Sequence, residues 1–323
     1  MAGDVIVIVT LNPALHVSYA AGDPAPDGVR PIQRPGYRAG GRGATAARLL
    51  RAFGHDVLAA GLAGGVSGEL IRDDLARSGV PTAFTLIGGE SRRVFRFTGG
   101  GQDLRFGEPG PYITTEELGR LAADYRRLLA GAAAVVLCGS LPDGLPAEIY
   151  GTLVTYAVEA EVPVILDAGG EELRHAVSHG PDLVVAETST ADLDLGALIR
   201  LGAGAAAVAT GCLVRAVTAT GEWTARVTPA AVAPPAGVTP AAVDQPLRAV
   251  RGALVAGLVP GQLLGWSWPD RLRHALALAA GGLAETGEQP VVPATISTSA
   301  VRDHVDLAAY ERLLDAVTVE RLS

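Results

Sequence analysis

Short apolar runs rich in β-branched residues alternate with helical patterns along most of this 323-residue chain. The runs, which predict buried strands, lie at residues 5–11, 57–62, 133–138, 162–166, 183–185 and 206–209. The helical patterns lie at residues 44–53, 67–78, 115–130, 147–159 and 170–178. Strands that are apolar throughout are covered on both faces, so the alternation predicts right-handed βαβ units and a doubly wound, mainly parallel α/β sheet.

Two segments break this alternation, at about residues 15–38 and 92–106. Their residues alternate in polarity or carry turn signals, and they predict extra strands outside the main sheet. In an open α/β sheet the ligand lies at the carboxyl ends of the strands, so a small strand layer there would serve as a lid. The length predicts that residues 1–323 form one domain with these lid strands inserted. Thr114 and Glu117 have the spacing of a capping box at the start of a helix.

Composition excludes several classes of function. The net charge is −8, and all 26 basic residues are arginine, so there is neither a basic footprint for nucleic acid nor the lysine of a Walker A loop. The longest uncharged stretch, residues 252–269, contains two prolines and four glycines and does not fit a membrane span. No cationic leader pattern opens the chain, and we expect a cytoplasmic protein. Cys138 and Cys212 adjoin apolar runs, which favours two buried thiols over a disulfide.

Three local patterns fit ligand binding, and each also has a purely structural explanation. Gly40, Gly41 and Gly43 precede a helix, where backbone N–H groups can meet an anion or a sugar hydroxyl, or simply form a tight turn. Ser140 lies in a turn after a strand, where it offers a hydroxyl at the ligand edge or ordinary turn chemistry. Arg92 on the predicted lid is either a phosphate ligand or a solvated surface side chain.

Three strings occur together in an order and spacing that point to one family. They are TLNPALH at 10–16, AGGRGATAARLLRAFG at 39–54 and CGSLPDGLP at 138–146. The chain resembles the ribokinase/phosphofructokinase-B family, and within it the 1-phosphofructokinase and tagatose-6-phosphate kinase branch. The resemblance covers nearly the whole chain and implies a ribokinase-like fold with a small β-strand lid. It also implies ATP-dependent phosphorylation of a hexose phosphate, ATP and Mg²⁺ as cofactors, and a homodimer formed through the lid.

The resemblance also implies which residues form the site. Binding of the sugar phosphate would fall to Asn12, His16, Gly40, Gly41, Arg42, Thr45, Arg92 and Ser140. Binding of the nucleotide would fall to Glu187, Gly211, Arg248 and Arg251. We expect Arg248 and Arg251 to lie at an exposed helix start, where they either attract an anion or are ordinary surface arginines.

The catalytic turn of the family is missing. Family members carry a Gly-Ala-Gly-Asp turn that opens a helix, in which the Asp accepts the proton of the attacking hydroxyl. Depending on the register, the Asp position falls on Gly252 or on Val250, and no acid occurs between Asp244 and Asp270. Asp244 is the only acid near this turn, and an Asp before a helix more often caps it.

Other family positions are also replaced. A sugar-binding Asp is expected where this chain has Leu15 and His16, an Asn is expected at Thr45, and a Lys at Arg42. The Asn expected after the lid arginine is Val94, which cannot hydrogen-bond a sugar. The Lys-Pro-Asn of the family, followed by Glu, places metal and nucleotide phosphates; the corresponding residues here are Val185, Ala186 and Glu187, with Thr190 at the Glu position.

Two histidines have a sequence spacing that is compatible with metal binding. His175 and His179 are four residues apart, one turn after Glu171 and Glu172. Cationic side chains near a helix C-terminus that ends at Gly180 explain the same pattern, and we favour that interpretation and predict no protein-bound metal here.

Three hypotheses follow. The first is a degenerate kinase, weak or inactive, with ATP and Mg²⁺ binding weak or absent, that binds a sugar phosphate as a sensor or regulator. The second is an active hexose-phosphate kinase with a relocated acid, for which Asp244, Glu187 or Asp143 is the candidate. The third is a structural partner in a protein complex, without a small-molecule ligand.

Overall fold

The computed structural model describes residues 5–21, 32, 34–99, 102–187, 194–210, 213–227, 251–285 and 307–322. The strands within these residues are β1 (Val5–Thr10), β2 (Ala14–Ala20), β3 (Gly36–Gly40), β4 (Val57–Gly64), β5 (Thr82–Ile87), β6 (Arg93–Gly99), β7 (Gln102–Gly107), β8 (Ala132–Cys138), β9 (Val164–Ala168), β10 (Leu183–Ala186), β11 (Ala205–Thr210), β12 (Leu213–Thr218), β13 (Gly221–Val227) and β14 (Val317–Leu322).

Ten of these strands form one large sheet in the order β14-β13-β12-β11-β10-β9-β8-β1-β4-β5. Every pairing from β5 through β1 to β11 is parallel, and β12, β13 and β14 add antiparallel strands at one edge. The prediction of an α/β fold with a mainly parallel sheet is confirmed. The predicted buried strands coincide with β1, β4, β8, β9, β10 and β11 to within a few residues.

Helices cover both faces of the large sheet. Their bounds are α1 (Arg42–Ala52), α2 (Gly65–Arg77), α3 (Thr115–Leu129), α4 (Ile149–Glu159), α5 (Gly170–Ala176), α6 (Leu195–Leu201), α7 (Arg251–Leu264), α8 (Trp268–Glu285) and α9 (Leu307–Ala316). One apolar core packs α1, α2, α7, α8 and α9 on one face, and a second core packs α3 to α6 on the other. Ile6 and Ile8 of β1 belong to the first core and Val7 and Val9 to the second, as the alternation of side chains along a strand requires.

A separate sheet of four strands, in the order β3-β2-β6-β7, is formed by the two segments that break the alternation. Its central pair, β2 and β6, is parallel, and the two outer pairings are antiparallel. We call it the small sheet. It connects to the large sheet where β1 ends and β2 begins, and its strand β3 leads directly into α1. The small sheet is therefore joined to the carboxyl edge of the large one.

The start of α3 and the buried state of Cys138 agree with the sequence predictions. Thr114 caps α3 by accepting a hydrogen bond from the N–H of Glu117, whose carboxylate accepts one from the N–H of Thr114 at 2.8 Å, so the capping box is confirmed. Cys138 is a buried free thiol, whereas Cys212 lies outside the described residues. Among the described helices, none is long and apolar enough to cross a membrane.

Candidate functional site

The carboxyl ends of four neighbouring parallel strands bring polar side chains to one edge of the large sheet. Asn12 follows β1, Ser140 follows β8, Asp167 lies near the end of β9, and Glu187 follows β10. This edge is where an open α/β sheet binds its ligand. The side chains fall into two groups with different chemistry.

The first group, the small-sheet cluster, consists of Asn12, His16, Gly40, Arg92 and Ser140. The Asn12 amide nitrogen donates to Ser140 Oγ at 3.4 Å and to the carbonyl of Leu141 at 3.2 Å, which ties the end of β1 to the turn after β8. Arg92 Nε donates to the main-chain carbonyl of Asn12 at 3.3 Å, which ties in the small sheet. Three separate segments thus meet at Asn12.

Within the described part of the chain, two polar groups in the small-sheet cluster lack the partners that they could bind. Asn12 is buried, and its Oδ1 has no hydrogen-bond partner among the described residues. Arg92 is half-buried, which lowers the pKa of its guanidinium, and no carboxylate of the described residues lies within ion-pair distance of it. A half-buried arginine without a counter-ion is a favourable place for an anion, because charge-assisted hydrogen bonds are the strong ones.

His16 lies on β2 with its ring against Gly40, at the end of β3. Crowding by protein atoms is the largest cause that lowers the pKa of His16, to about 4, and the positive charges of Arg92, Arg48, Arg105 and Arg38 add to it. The residue is nevertheless exposed to solvent, which weakens both effects. The imidazole is therefore neutral near pH 7 and lies in a positive potential.

The start of α1 lies between the two groups. Gly41 precedes the helix with φ of 93°, a conformation that favours glycine, and no side chain caps its N–H groups. Thr45 does not extend toward the small sheet, because its hydroxyl donates to the carbonyl of Gly41 at 3.2 Å. The first N–H groups of α1 are thus available to a ligand at this edge.

The second group, the ion-pair cluster, consists of Arg42, Asp167, Glu187 and Arg251. Asp167 is fully buried and accepts through Oδ1 from Arg42 Nη1 at 3.2 Å and from Arg251 Nη2. The same Arg251 nitrogen donates to the carbonyl of Val185 at 3.1 Å, and Arg251 Nη1 lies 3.4 Å from Glu187 Oε2. The Arg42 guanidinium therefore points away from the small-sheet cluster.

Charges balance within the ion-pair cluster, since two guanidiniums face two carboxylates. Burial raises the pKa of Asp167, and the charges of Arg251 and Arg42 oppose that rise. Burial is the largest single influence on Arg42 and acts to lower its pKa, but the acidic groups around it, with Asp167 first among them, together raise that pKa above its ordinary value. Asp167 Oδ2 and the Nε and Nη1 atoms of Arg251 are buried without a hydrogen-bond partner among the described residues, so the contact of Nη1 with Glu187 is an ion pair without a hydrogen bond. Removing one member of the ion-pair cluster should be strongly destabilising, because it leaves a buried charge without its partner.

Gly252, the second residue of α7, is buried against α1. A Cβ at this position would lie 2.5 Å from the carbonyl oxygen of Arg42 and 2.8 Å from Thr45 Cβ. Real Cβ atoms do not approach so closely, so the position has no room for a side chain unless α1 and α7 separate. Whichever register relates α7 to the family turn, residue 252 cannot carry a carboxylate in this packing.

One expectation about these residues is wrong. The sequence predicts Arg251 at an exposed helix start, but its side chain is only 6% exposed and forms a buried ion pair with Asp167. The pattern could not reveal this, because its partner Asp167 lies 84 residues earlier. Asp167 itself, within the LDAGG string, received no role from the sequence, although an acid at the end of a buried strand was the available signal.

Several other predicted residues lie apart from the site or outside the described residues. His175 lies 3.7 Å from Glu148, and His179 Nδ1 lies 2.8 Å from the hydroxyl of Thr155. In the described part of the chain no three His, Cys, Asp or Glu residues form a group that could hold a metal ion. Gly211, Arg248, Asp244, Val250 and Thr190 lie outside the described residues.

A family model described as "pfkB family carbohydrate kinase" matches residues 7–213. The chain belongs to the pfkB family of carbohydrate kinases. The matched residues include the small-sheet cluster and Arg42, Asp167 and Glu187, and they end before α7. The predicted family is thereby confirmed.

Solved structures described as phosphofructokinases share this fold over nearly their whole length. A possible 1-phosphofructokinase from Thermotoga maritima has a TM-score of 0.77 at 21% identity, with 99% of this chain and 100% of that chain covered. The tetrameric inhibited form of phosphofructokinase-2 from Escherichia coli has a TM-score of 0.74, and its complex with fructose-6-phosphate has 0.71, each at 21% identity with 97% and 99% covered. The ribokinase-like fold is thus confirmed.

Members of the pfkB family use ATP and Mg²⁺ in general. Here the residues do not fit a divalent cation between Asp167 and Glu187, because the guanidinium of Arg251 lies between these carboxylates and contacts both. Of the predicted nucleotide-binding residues, Glu187 and Arg251 contact each other. Two of the acids named as candidate relocated bases lie within the described residues. Glu187 is paired with Arg251, and Asp143 is an exposed turn residue.

Proposed function

We propose that this chain is a pfkB-family pseudokinase that binds a sugar phosphate at the small-sheet cluster and transfers no phosphoryl group at a useful rate. One observation carries the proposal, and it concerns the first two residues of α7. Arg251 is held in a buried ion pair, and Gly252 is packed so closely that the position has no room for a carboxylate side chain. Loss of a general base alone costs about 10²- to 10⁴-fold in rate. Binding of ATP and Mg²⁺ is accordingly weak or absent in the proposal.

The ligand is inferred from the groups that the small-sheet cluster leaves unused. Arg92 offers a guanidinium to a phosphate, while Asn12, Ser140 and the first N–H groups of α1 offer hydrogen bonds to hydroxyls. One structural neighbour, phosphofructokinase-2 from Escherichia coli, was solved with fructose-6-phosphate, which supports a hexose phosphate as the first ligand to try. The small sheet would then serve as the lid.

A homodimer through the small sheet is part of the proposal. The sheet exposes Tyr37, Leu104 and Phe106, and the Escherichia coli neighbour was solved as a tetramer. Burial of such side chains favours association. Sedimentation of the purified chain should show a dimer that Phe106→Glu shifts to the monomer; a monomeric wild-type protein would remove this part. The cytoplasmic location stays a prediction of the sequence.

The test is calorimetric titration of the purified protein with fructose 6-phosphate, fructose 1-phosphate and tagatose 6-phosphate, each with and without ATP and Mg²⁺. We expect a sugar phosphate to bind without ATP, unphosphorylated fructose to bind far more weakly, and no ADP to form. Micromolar ATP binding with heat of turnover would instead support an active kinase with a relocated acid. Failure of all sugars to bind, with a stable protein partner, would support the structural role.

A further inference from the structure

Two carboxylates meet at the carboxyl ends of adjacent parallel strands. In the register of β9 and β10, Asp167 is the partner of Val185, and Glu187 follows two residues later. Oxygen ligands from two acids at one edge are the kind of donor set that divalent cations use in proteins. What lies between them here is a side chain of the protein itself, the guanidinium of Arg251.

We propose that Arg251 is an internal counter-ion that takes the place of a divalent cation between Asp167 and Glu187. It concerns the same edge as the proposed function and extends it, because it names the residue that excludes metal from this site. The guanidinium contacts three oxygens: Asp167 Oδ1 on β9, the carbonyl of Val185 on β10, and Oε2 of Glu187, which follows β10. A fork of fixed donors suits such a set.

Burial makes the replacement hard to reverse. The side chain of Arg251 is 6% exposed and that of Asp167 is not exposed at all, so a metal cannot share the space with the guanidinium. Mg²⁺ needs oxygen ligands at about 2.0–2.1 Å in near-octahedral geometry, which a guanidinium between the acids prevents. Arg42 supplies a second positive charge to Asp167 and would repel an incoming cation further.

The position of Arg251 explains why the exchange is available to this chain. It is the first residue of α7, and the next residue, Gly252, packs directly against Arg42 and Thr45 of α1. Close contact between the two helices brings the root of the Arg251 side chain to the sheet edge. A small residue at 252 and a long cation at 251 therefore act together.

The structure predicts a gain of metal binding when Arg251 loses its charge. In Arg251→Met, Asp167 keeps its ion pair with Arg42, and no guanidinium at position 251 lies between Asp167 and Glu187, so both carboxylates can face one cation. Titration with MnCl₂, followed by the loss of the free Mn²⁺ electron paramagnetic resonance signal, should show binding at least about tenfold tighter than in the wild type. Mn²⁺ should also raise the melting temperature of this variant and leave that of the wild type unchanged.

Matched variants separate this effect from a general loss of positive charge. Arg200→Met removes an arginine from an exposed pair with Asp194 and should leave Mn²⁺ binding at the wild-type level. Arg251→Lys keeps a cation and should also resemble the wild type. Glu187→Gln combined with Arg251→Met should abolish the gain. Arg251→Gln, which keeps an amide donor for Asp167, replaces Arg251→Met if that variant does not fold.

Two results would overturn the inference. One is Mn²⁺ binding by the wild-type protein that Glu187→Gln removes, a measurement that needs no Arg251 variant. The other is folded Arg251→Met or Arg251→Gln protein without any gain. The titration contains neither nucleotide nor sugar, so turnover of ATP by the wild type would refute the proposed function without deciding this experiment.

Discussion

The small-sheet cluster and the ion-pair cluster lie at the same edge of the sheet, but they treat charge in opposite ways. Arg92 in the small-sheet cluster has no described carboxylate within ion-pair distance, whereas every charged side chain of the ion-pair cluster contacts an opposite charge. The first arrangement is the one at which we propose that an external anion binds. The second is already neutral without a ligand, as a structural element of the core is expected to be.

The largest effect should come from breaking the ion-pair cluster. In Asp167→Asn, two guanidiniums lose their shared counter-ion at a position with no exposed surface, and we expect the free energy of unfolding to fall by about 3–5 kcal/mol. Urea unfolding followed by circular dichroism measures the loss. Asp56→Asn removes an exposed partner of Arg51 and should cost no more than about 1 kcal/mol. Equal losses in the two variants would mean that the buried cluster does not hold the edge together.

A smaller loss is expected where α7 packs on α1. Gly252→Ala places a Cβ 2.5 Å from the carbonyl of Arg42, and the overpacking should lower the free energy of unfolding by about 1–3 kcal/mol. Gly119→Ala is the matched control, because its Cβ meets nothing within 4 Å on α3, and it should stabilise the protein by about 0.5–1 kcal/mol. Calorimetric melting gives both values. Gly252→Asp should likewise destabilise the chain and not restore turnover; a stable, active Gly252→Asp would contradict the packing argument.

The small-sheet cluster should affect binding more than stability. Arg92→Met removes the only cationic group that we assign to the ligand phosphate, and the dissociation constant of fructose 6-phosphate should rise roughly ten- to hundredfold. Arg93→Met is the neighbouring control, since Arg93 is paired with Glu108 at 2.7 Å. Calorimetric titration compares the two. If both variants bind as the wild type does, the phosphate is not held at Arg92.

The fold was predictable from the sequence because its signals are local. Continuous apolar runs identified β1, β4 and β8 to β11, and the spacing of Thr114 and Glu117 identified the start of α3. The apolar runs did not predict β5, β12, β13 and β14. These strands lie toward the two ends of the large sheet and include half-exposed residues, where an apolar run is a weaker signal.

The site was predictable only in part. Asn12 and Ser140, which lie in two of the motif strings, come together because each follows a strand at the same edge, and Arg92 joins them by its hydrogen bond to the carbonyl of Asn12. The burial of Arg251 could not be predicted, since it depends on an acid 84 residues away and on the packing of α7 against α1. Composition and spacing show which charges a chain has, but pairing across the fold decides whether they are available.

The smallest effect, and the most direct probe of the small-sheet cluster, is the titration of His16. Its pKa of about 4 lies below the ordinary value of 6.5, so between these values the unfolded chain binds a proton that the folded chain does not. Stability should therefore fall slightly as the pH drops from about 6.5 toward 4, and His16 should contribute nothing to the pH dependence above 7.

Nuclear magnetic resonance of the His16 ring protons measures this pKa directly. The ring signals should stay constant from pH 7 to 5.5 in the folded protein, whereas the same ring in urea-unfolded chain should titrate near 6.5. Bound fructose 6-phosphate should raise the pKa of His16 in the folded protein, because its negative charge offsets that of the surrounding arginines. A value near 6.5 in the free protein, or no change on binding, would show that this half of the edge does not carry the uncompensated positive charge that distinguishes it from the ion-pair cluster.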